Sequence, residues 1–294
     1  MKDTEYVLIT GCSEGGIGNA LAVEFHKQGF KVIAASRRIE TMANLAEMGI
    51  RTIVLDVSDT TSVSEAEKVV RSETGGKLHY LINNAGVSMI KAAVDLEIPK
   101  VHKLMEVNLY GPMRMNTAFQ EQLIRAKGTI VHINSALSYG PMVFSSAYSA
   151  SKAALLSYAN TLRIELAPFG VQVTSVITGL ISTSIFEKDG ASLNESTFPE
   201  NSIYYPYKDQ LLSADNPADA ATVSPQQYAE DVYQKLVRKR HWYQLFRRGV
   251  LPAQFWSGQY SQTIRILSFF PVDIFTPFVS SAAKLPSEAS TEVD

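Results

Sequence analysis

The chain of 294 residues holds a single cysteine, Cys12, so no internal disulfide can form and a reducing, intracellular setting fits. Its five histidines, at positions 26, 79, 102, 132 and 241, are scattered and have no cysteine or carboxylate partner at metal-ligand spacing, so they read as structural or surface residues. Neither sign of charge dominates: 27 lysines and arginines stand against 29 aspartates and glutamates, a net charge of -2. Such a balance gives no reason to expect a nucleic-acid partner, which favours a concentrated basic surface. No leader is expected, because a strand begins near Glu5 and leaves no room for one. A long uninterrupted apolar run is also lacking. The most hydrophobic stretch, IRILSFFPVDIFTPFVSSAA, is broken by Arg265, Pro271, Asp273 and Pro277, which excludes a membrane-spanning helix there. No internal repeat and no second domain are visible. What remains is a composition of 46% hydrophobic and 19% charged residues, ordinary for a folded α/β domain with a sizeable core.

Short apolar runs rich in β-branched residues predict buried strands at Tyr6 to Thr10, Lys31 to Ala35, Arg51 to Leu55, Tyr80 to Asn83, Thr129 to Asn134 and Val171 to Ile177, with a last strand at His241 to Phe246. Helical patterns alternate with them, which predicts a doubly wound parallel sheet of the Rossmann type in three layers. One helical stretch, Pro99 to about Arg125, is interrupted at Gly111-Pro112. The segment 184–224 is polar, rich in tyrosine and too long for a simple connection, so it reads as a helical lid or substrate loop. A proline-initiated helix follows from Pro225 to Arg240. The domain is placed at residues 1–250 and an aromatic extension at 251–294. For residues 250–284 the readings are a flap over an apolar pocket, a surface touching a membrane or lipid droplet, or an ordinary core or dimer contact.

The first strand runs directly into Gly11-Cys-Ser-Glu-Gly-Gly-Ile-Gly18 and then into an amphipathic helix. Glycines there let the backbone approach a pyrophosphate, and the helix N-terminus offers N–H groups and positive potential. The second strand ends in Ser36-Arg37-Arg38, without the acidic residue that would bond a ribose 2′-hydroxyl. Guanidinium suits a 2′-phosphate instead, so NADP(H) is the cofactor expected. Asp56, after the third strand, is placed to accept from an adenine amino group, or else caps the next helix. Asn83-Asn84-Ala85-Gly86 ends the fourth strand; the small residues allow close cofactor approach and the asparagines tie strand ends together.

The chemistry concentrates further on. Tyr148 and Lys152 are four residues apart and share one helix face. Tyrosine alone, with a pKa of about 10, exchanges protons poorly near neutrality. A neighbouring ammonium favours the phenolate, so the spacing predicts that Lys152 lowers the Tyr148 pKa. Ser135 brings a hydroxyl to the carboxyl end of the fifth strand, where open α/β sheets hold their ligands. Asn108, just before the helix break, can hold a water through its freed carbonyl and extend a proton relay; an ordinary cap is the plainer alternative. Thr178 to Thr183 follow the sixth strand, where a nicotinamide amide could be held.

Taken together these features resemble the short-chain dehydrogenase/reductase family: Thr10-Gly11, Gly16-Ile17-Gly18, Asp56, Asn83 to Gly86, Asn108, Ser135, Tyr148 and Lys152, in the family's order, over about residues 5–185. The phrases AKGTIVHINS and YSASKAALLSYANTLRIELAPFGVQV resemble a fungal branch that includes NADPH-dependent reductases of 1-acyldihydroxyacetone phosphate. The resemblance implies cofactor contacts at Gly11, Ser13, Gly16, Ile17, Arg37, Arg38, Asp56, Asn84, Tyr148, Lys152, Ile181 and Thr183, and a catalytic set of Asn108, Ser135, Tyr148 and Lys152. It implies reduction of an apolar carbonyl, lipid or secondary-metabolite, with Tyr148 as proton donor, and a cytoplasmic protein that assembles with itself or sits peripherally at endoplasmic reticulum or lipid droplets. A non-catalytic NADP(H)-binding sensor or scaffold is the competing reading. Two departures stand out. The glycine loop is one residue longer than in many members, predicting a bulge, and Thr178-Gly179 replaces the common Pro-Gly.

Overall fold

The computed structural model describes residues 4–183, 193–214, 221–238, 251–272 and 276–286. Among them a seven-stranded sheet has the order β3-β2-β1-β4-β5-β6-β7 with every pairing parallel. The strands are β1 Tyr6–Thr10, β2 Lys31–Ser36, β3 Arg51–Val54, β4 Tyr80–Asn83, β5 Thr129–Ser135, β6 Gln172–Thr178 and β7 Gln254–Ser257. The helices are α1 Ile17–Lys27, α2 Ala43–Glu47, α3 Thr60–Thr74, α4 Ile98–Met105, α5 Gly111–Ala126, α6 Ser146–Leu166, α7 Lys208–Leu212, α8 Pro225–Tyr233, α9 Ser261–Leu267 and α10 Thr276–Ala282. None of the described helices is long and apolar enough to cross a membrane.

Both sheet faces are covered, as a parallel sheet requires. Alternation along β1 shows how. Val7 and Ile9 enter one core with Leu21 and Phe25 of α1 and Tyr228 and Val232 of α8. Leu8 points the other way, into a core with Val63 and Val70 of α3, Met115 and Phe119 of α5 and Ala159 of α6. Each such fully buried side chain contributes about 1.5–3 kcal/mol over exposure. From β1 the chain steps outward to β2 and β3, then returns to place β4 on the other side of β1. That reversal opens a crevice at the carboxyl ends of β1 and β4, where such sheets bind ligands.

The long helix expected from Pro99 is two helices joined by a π turn, Glu106–Tyr110. Gly111 N–H reaches back five residues to the Glu106 carbonyl. Pro112, near the start of α5, has no N–H to give the Asn108 carbonyl four residues earlier. The strand expected at His241 to Phe246 lies outside the described residues, and the edge strand is Gln254–Ser257, paired with Ser175–Thr178. The sheet therefore continues past residue 250, into the segment read as an extension. Four residues without clear alternation, inside an aromatic stretch, carry too weak a signal to separate from it. In the 184–224 segment the described residues carry two 3-10 turns, Glu195–Thr197 and Tyr205–Tyr207, and the short helix α7 among turns, with Phe198 and Leu211 packed against Ala92 and Phe144.

Candidate active site

One continuous cavity of about 420 Å³ runs across the carboxyl ends of the strands. Ser135 ends β5, its hydroxyl accepting from Leu137 N–H at 3.2 Å, so the following turn holds the side chain in place. Tyr148 and Lys152 sit in the first two turns of α6 and line the same cavity. Lys152 Nζ is 5.8 Å from the Tyr148 ring centroid and donates to the Ile133 carbonyl at 3.0 Å. The lysine is 5% exposed, and burial lowers its pKa to about 8. Buried beside it, His132 is held to about 3 by burial first and the Lys152 charge second, and so stays neutral.

The Tyr148 pKa corrects the expectation from spacing. It is raised, not lowered: burial pushes the phenol up, and a hydrogen bond with Ser135 opposes that without reversing it. Helical spacing reports the nearby cation but not the depth of the hydroxyl. The phenol is therefore protonated across the neutral range, the form a proton donor needs.

Asn108 is fully buried behind the cavity rather than lining it. Its amide accepts from Val87 N–H and donates to the Val87 carbonyl, both at 2.9 Å, and donates to Ser151 Oγ at 3.0 Å. The side chain thus ties the loop after β4 to the tyrosine helix. Asn84 performs a similar service at the crevice. Its Nδ2 donates to the carbonyls of Thr10 and Gly11 at 2.8 and 3.1 Å, while Thr10 Oγ1 receives the Asn84 and Ala85 N–H groups at 3.0 Å. Glycine is required at position 18, because a Cβ would stand 2.4 Å from Asn84 Nδ2 and 2.5 Å from the Gly11 carbonyl oxygen.

Towards β2 and β3 the cavity is lined by Gly11, Ser13, Gly16, Ile17, Ser36, Arg37 and Asp56. Arg37 and Arg38 both follow the last residue of β2 and are exposed, but Arg37 lines the cavity and Arg38 does not. In the glycine loop Gly11 and Gly15 adopt positive φ, 73° and 75°, which favours glycine at both positions. Asp56 Oδ1 accepts from Ser58 N–H and Oγ at 2.9 and 2.6 Å, and Asp59, not Asp56, caps α3. Cys12 is buried with its thiol pushed up to about 12, an inert turn residue.

At the opposite end, Ile181 and Thr183 line the cavity with residues that sequence reasoning missed: Ile90, Leu137 and Met142, then Tyr260 and Ile264 around α9. Thr178, which stands beside Ser135 in the β5–β6 register, has its hydroxyl 2.6 Å from the phenol of Tyr228. The Thr178-Gly179 departure was the only sign of that pair in the sequence. Among the described residues the cations lining the cavity are Arg37 and Lys152.

A parallel switch-point crevice with a Ser–Tyr–Lys cluster at one end and an arginine at the other defines a nucleotide-binding α/β protein of the dehydrogenase class. Residues 5–194 match the family model described as short chain dehydrogenase, and the chain belongs to that family. It is 54% identical over 289 residues to an NADPH-dependent 1-acyldihydroxyacetone phosphate reductase of Schizosaccharomyces pombe, covering 98% of this chain and 97% of that one. It is 37% identical to the short-chain dehydrogenase srdE of Neurospora crassa, covering 97% and 93%. Among solved structures, a short-chain dehydrogenase from Streptomyces avermitilis superposes with a TM-score of 0.75 at 26% identity, covering 97% of this chain and 98% of that one.

Proposed function

We propose that the protein is an NADPH-dependent reductase of apolar ketones. The observation that carries this is the cluster of Ser135, Tyr148 and Lys152 in one cavity with Arg37. The cavity fits the cofactor on its own chemistry. Gly11, Ser13, Gly16 and Ile17 of the glycine loop line it without a charged side chain, and Ser36 and Arg37 line it where β2 ends, without a carboxylate between them. Arg37 would take the 2′-phosphate, Asp56 the adenine end, Lys152 the nicotinamide ribose, and Ile181 and Thr183 the carboxamide. When bound, the dihydronicotinamide supplies a hydride to the substrate's carbonyl carbon. Ser135 and Tyr148 donate hydrogen bonds to the carbonyl oxygen, and Tyr148 gives up its proton as general acid. Lys152 stabilises the resulting phenolate by its charge, and Asn108 holds the loop and helix that frame the relay.

Around the Ser135–Tyr148–Lys152 cluster the substrate end is lined by the apolar Ile90, Leu137, Met142 and Ile264, and among the described residues it has no cation besides Lys152. A substrate such as 1-acyldihydroxyacetone phosphate, named for the fission-yeast relative, would therefore keep its phosphate at the solvent mouth and its acyl chain inside. The outer side of the same region exposes Ile266 and Phe269, and we take it to rest on a lipid surface from which such a substrate enters. The test is NADPH oxidation with acyl-dihydroxyacetone phosphate, uncharged long-chain ketones and steroid ketones. Tyr148→Phe is expected to remove turnover, by more than a hundredfold, and to keep NADPH binding. Near-wild-type turnover in that variant would remove Tyr148 as the proton donor, whereas tight NADPH binding with no turnover on any ketone would return the reading to a non-catalytic sensor.

A further inference from the structure

Thr41 does not line the cavity, yet it joins three segments that form the adenosine end. Its backbone carbonyl accepts from Glu14 N–H at 2.8 Å, which anchors the glycine loop where it carries its extra residue. Its hydroxyl donates to the Arg38 carbonyl at 2.7 Å and so fixes the turn that presents Arg37. The same oxygen lies 3.1 Å from Ser13 Oγ and 3.1 Å from Ser36 Oγ, and those two are 3.1 Å apart. Three hydroxyls, from the glycine loop, the end of β2 and the turn after it, thus make a closed triangle beside an arginine.

Proton counting gives the triangle a direction. The Thr41 hydrogen is committed to the Arg38 carbonyl, so towards the serines Thr41 can only accept. Two serine hydrogens then serve three oxygen–oxygen edges, and one edge is always without a bond. A serine hydroxyl can turn to an outside acceptor without breaking a saturated network. Ser13 and Ser36 both line the cavity with Arg37, whereas Thr41 stands behind them. Glu14, whose carboxylate would repel a phosphate, is exposed, with its backbone held at Thr41.

We infer that Thr41 is a positioning residue for NADPH over NADH: it holds Ser13, Ser36 and Arg37 as one unit that receives the 2′-phosphate, the group by which the two cofactors differ. This rests on the NADPH reading of the cavity. The experiment measures dissociation constants of the full chain for NADPH, NADH, adenosine 2′,5′-bisphosphate and ADP. Thr41→Val keeps the shape and the backbone carbonyl for Glu14 but removes the hydroxyl. It is expected to weaken NADPH and the bisphosphate roughly tenfold, the scale of one hydrogen bond to a charged group, and to leave NADH and ADP unchanged. Thr41→Ser is expected to restore NADPH affinity. Equal losses for both cofactors would make Thr41 merely structural, and no loss for either would overturn the inference as well. Should the valine variant fail to fold, Ser36→Ala is expected to show the same selective loss, and an unselective result there overturns it. A wild-type chain that does not prefer NADPH would instead overturn the cofactor reading itself.

Discussion

The Lys152 ammonium is buried against the Ile133 carbonyl, and that placement costs stability. Its folded pKa is depressed to about 8 from an ordinary 10.5, so folding favours the neutral amine. The penalty is fully present below pH 8 and fades as the pH rises from about 8 towards 10.5, where the unfolded chain also loses the proton. Lys152→Met is therefore expected to stabilise the fold at pH 7, by at most about 3 kcal/mol, while removing turnover. Urea unfolding at pH 7 and pH 9.5 checks the sign: the variant's advantage must shrink at the higher pH. The same value shapes catalysis. Reductive kcat/KM is expected to fall as pH passes about 8, because Lys152 discharges before the upward-shifted Tyr148 phenol does. A profile flat to pH 10 would separate the rate from the Lys152 charge. Tyr148 and Lys152 were legible in the sequence because four-residue spacing on a helix is a local fact. The direction of the Tyr148 shift was not, since burial depends on what the rest of the chain places above it.

Elements were readable to the extent that their signals are periodic and local. The apolar run of β1 and the strand–glycine–helix succession at residues 6–27 are both present in the structure. The π turn at Glu106–Tyr110 adds one residue to a helical repeat, which a 3.6-residue pattern does not resolve; only Gly111-Pro112 signalled a break. Thr41 was invisible because its partners lie in three separate segments. Close approach between elements is also a through-space matter, and Gly18 tests it. Its missing Cβ is what lets α1 start within reach of Asn84 Nδ2 and the Gly11 carbonyl. Neither neighbour can give way cheaply, since Asn84 bonds two backbone carbonyls and Gly11 is held at positive φ. Gly18→Ala is expected to weaken NADPH binding by roughly five- to a hundredfold, the scale of the about 1–3 kcal/mol that overpacking costs, and titration of the folded variant with NADPH measures it.

At the scale of the whole molecule, the carboxyl-terminal segment faces two ways. Tyr260 and Ile264 line the cavity, while Ile266, Phe269, Phe270 and Val272 are 62%, 80%, 51% and 49% exposed. A pocket flap, a membrane surface and a core or dimer contact are the readings of this stretch, and the first two are compatible because α9 lines the cavity through Ile264 while the residues after it are exposed. Burying a phenylalanine in an apolar phase contributes about 1.5–3 kcal/mol, so losing two should reduce partitioning by at least about a hundredfold. Phe269→Asp with Phe270→Asp is therefore expected to abolish co-sedimentation with phosphatidylcholine vesicles. Turnover on a short water-soluble ketone should be unchanged, because neither residue lines the cavity. Activity on a vesicle-borne acyl ketone should fall with the binding, which ties the surface to substrate entry. Undiminished sedimentation would remove the lipid surface from the reading and leave α9 as a wall of the cavity alone.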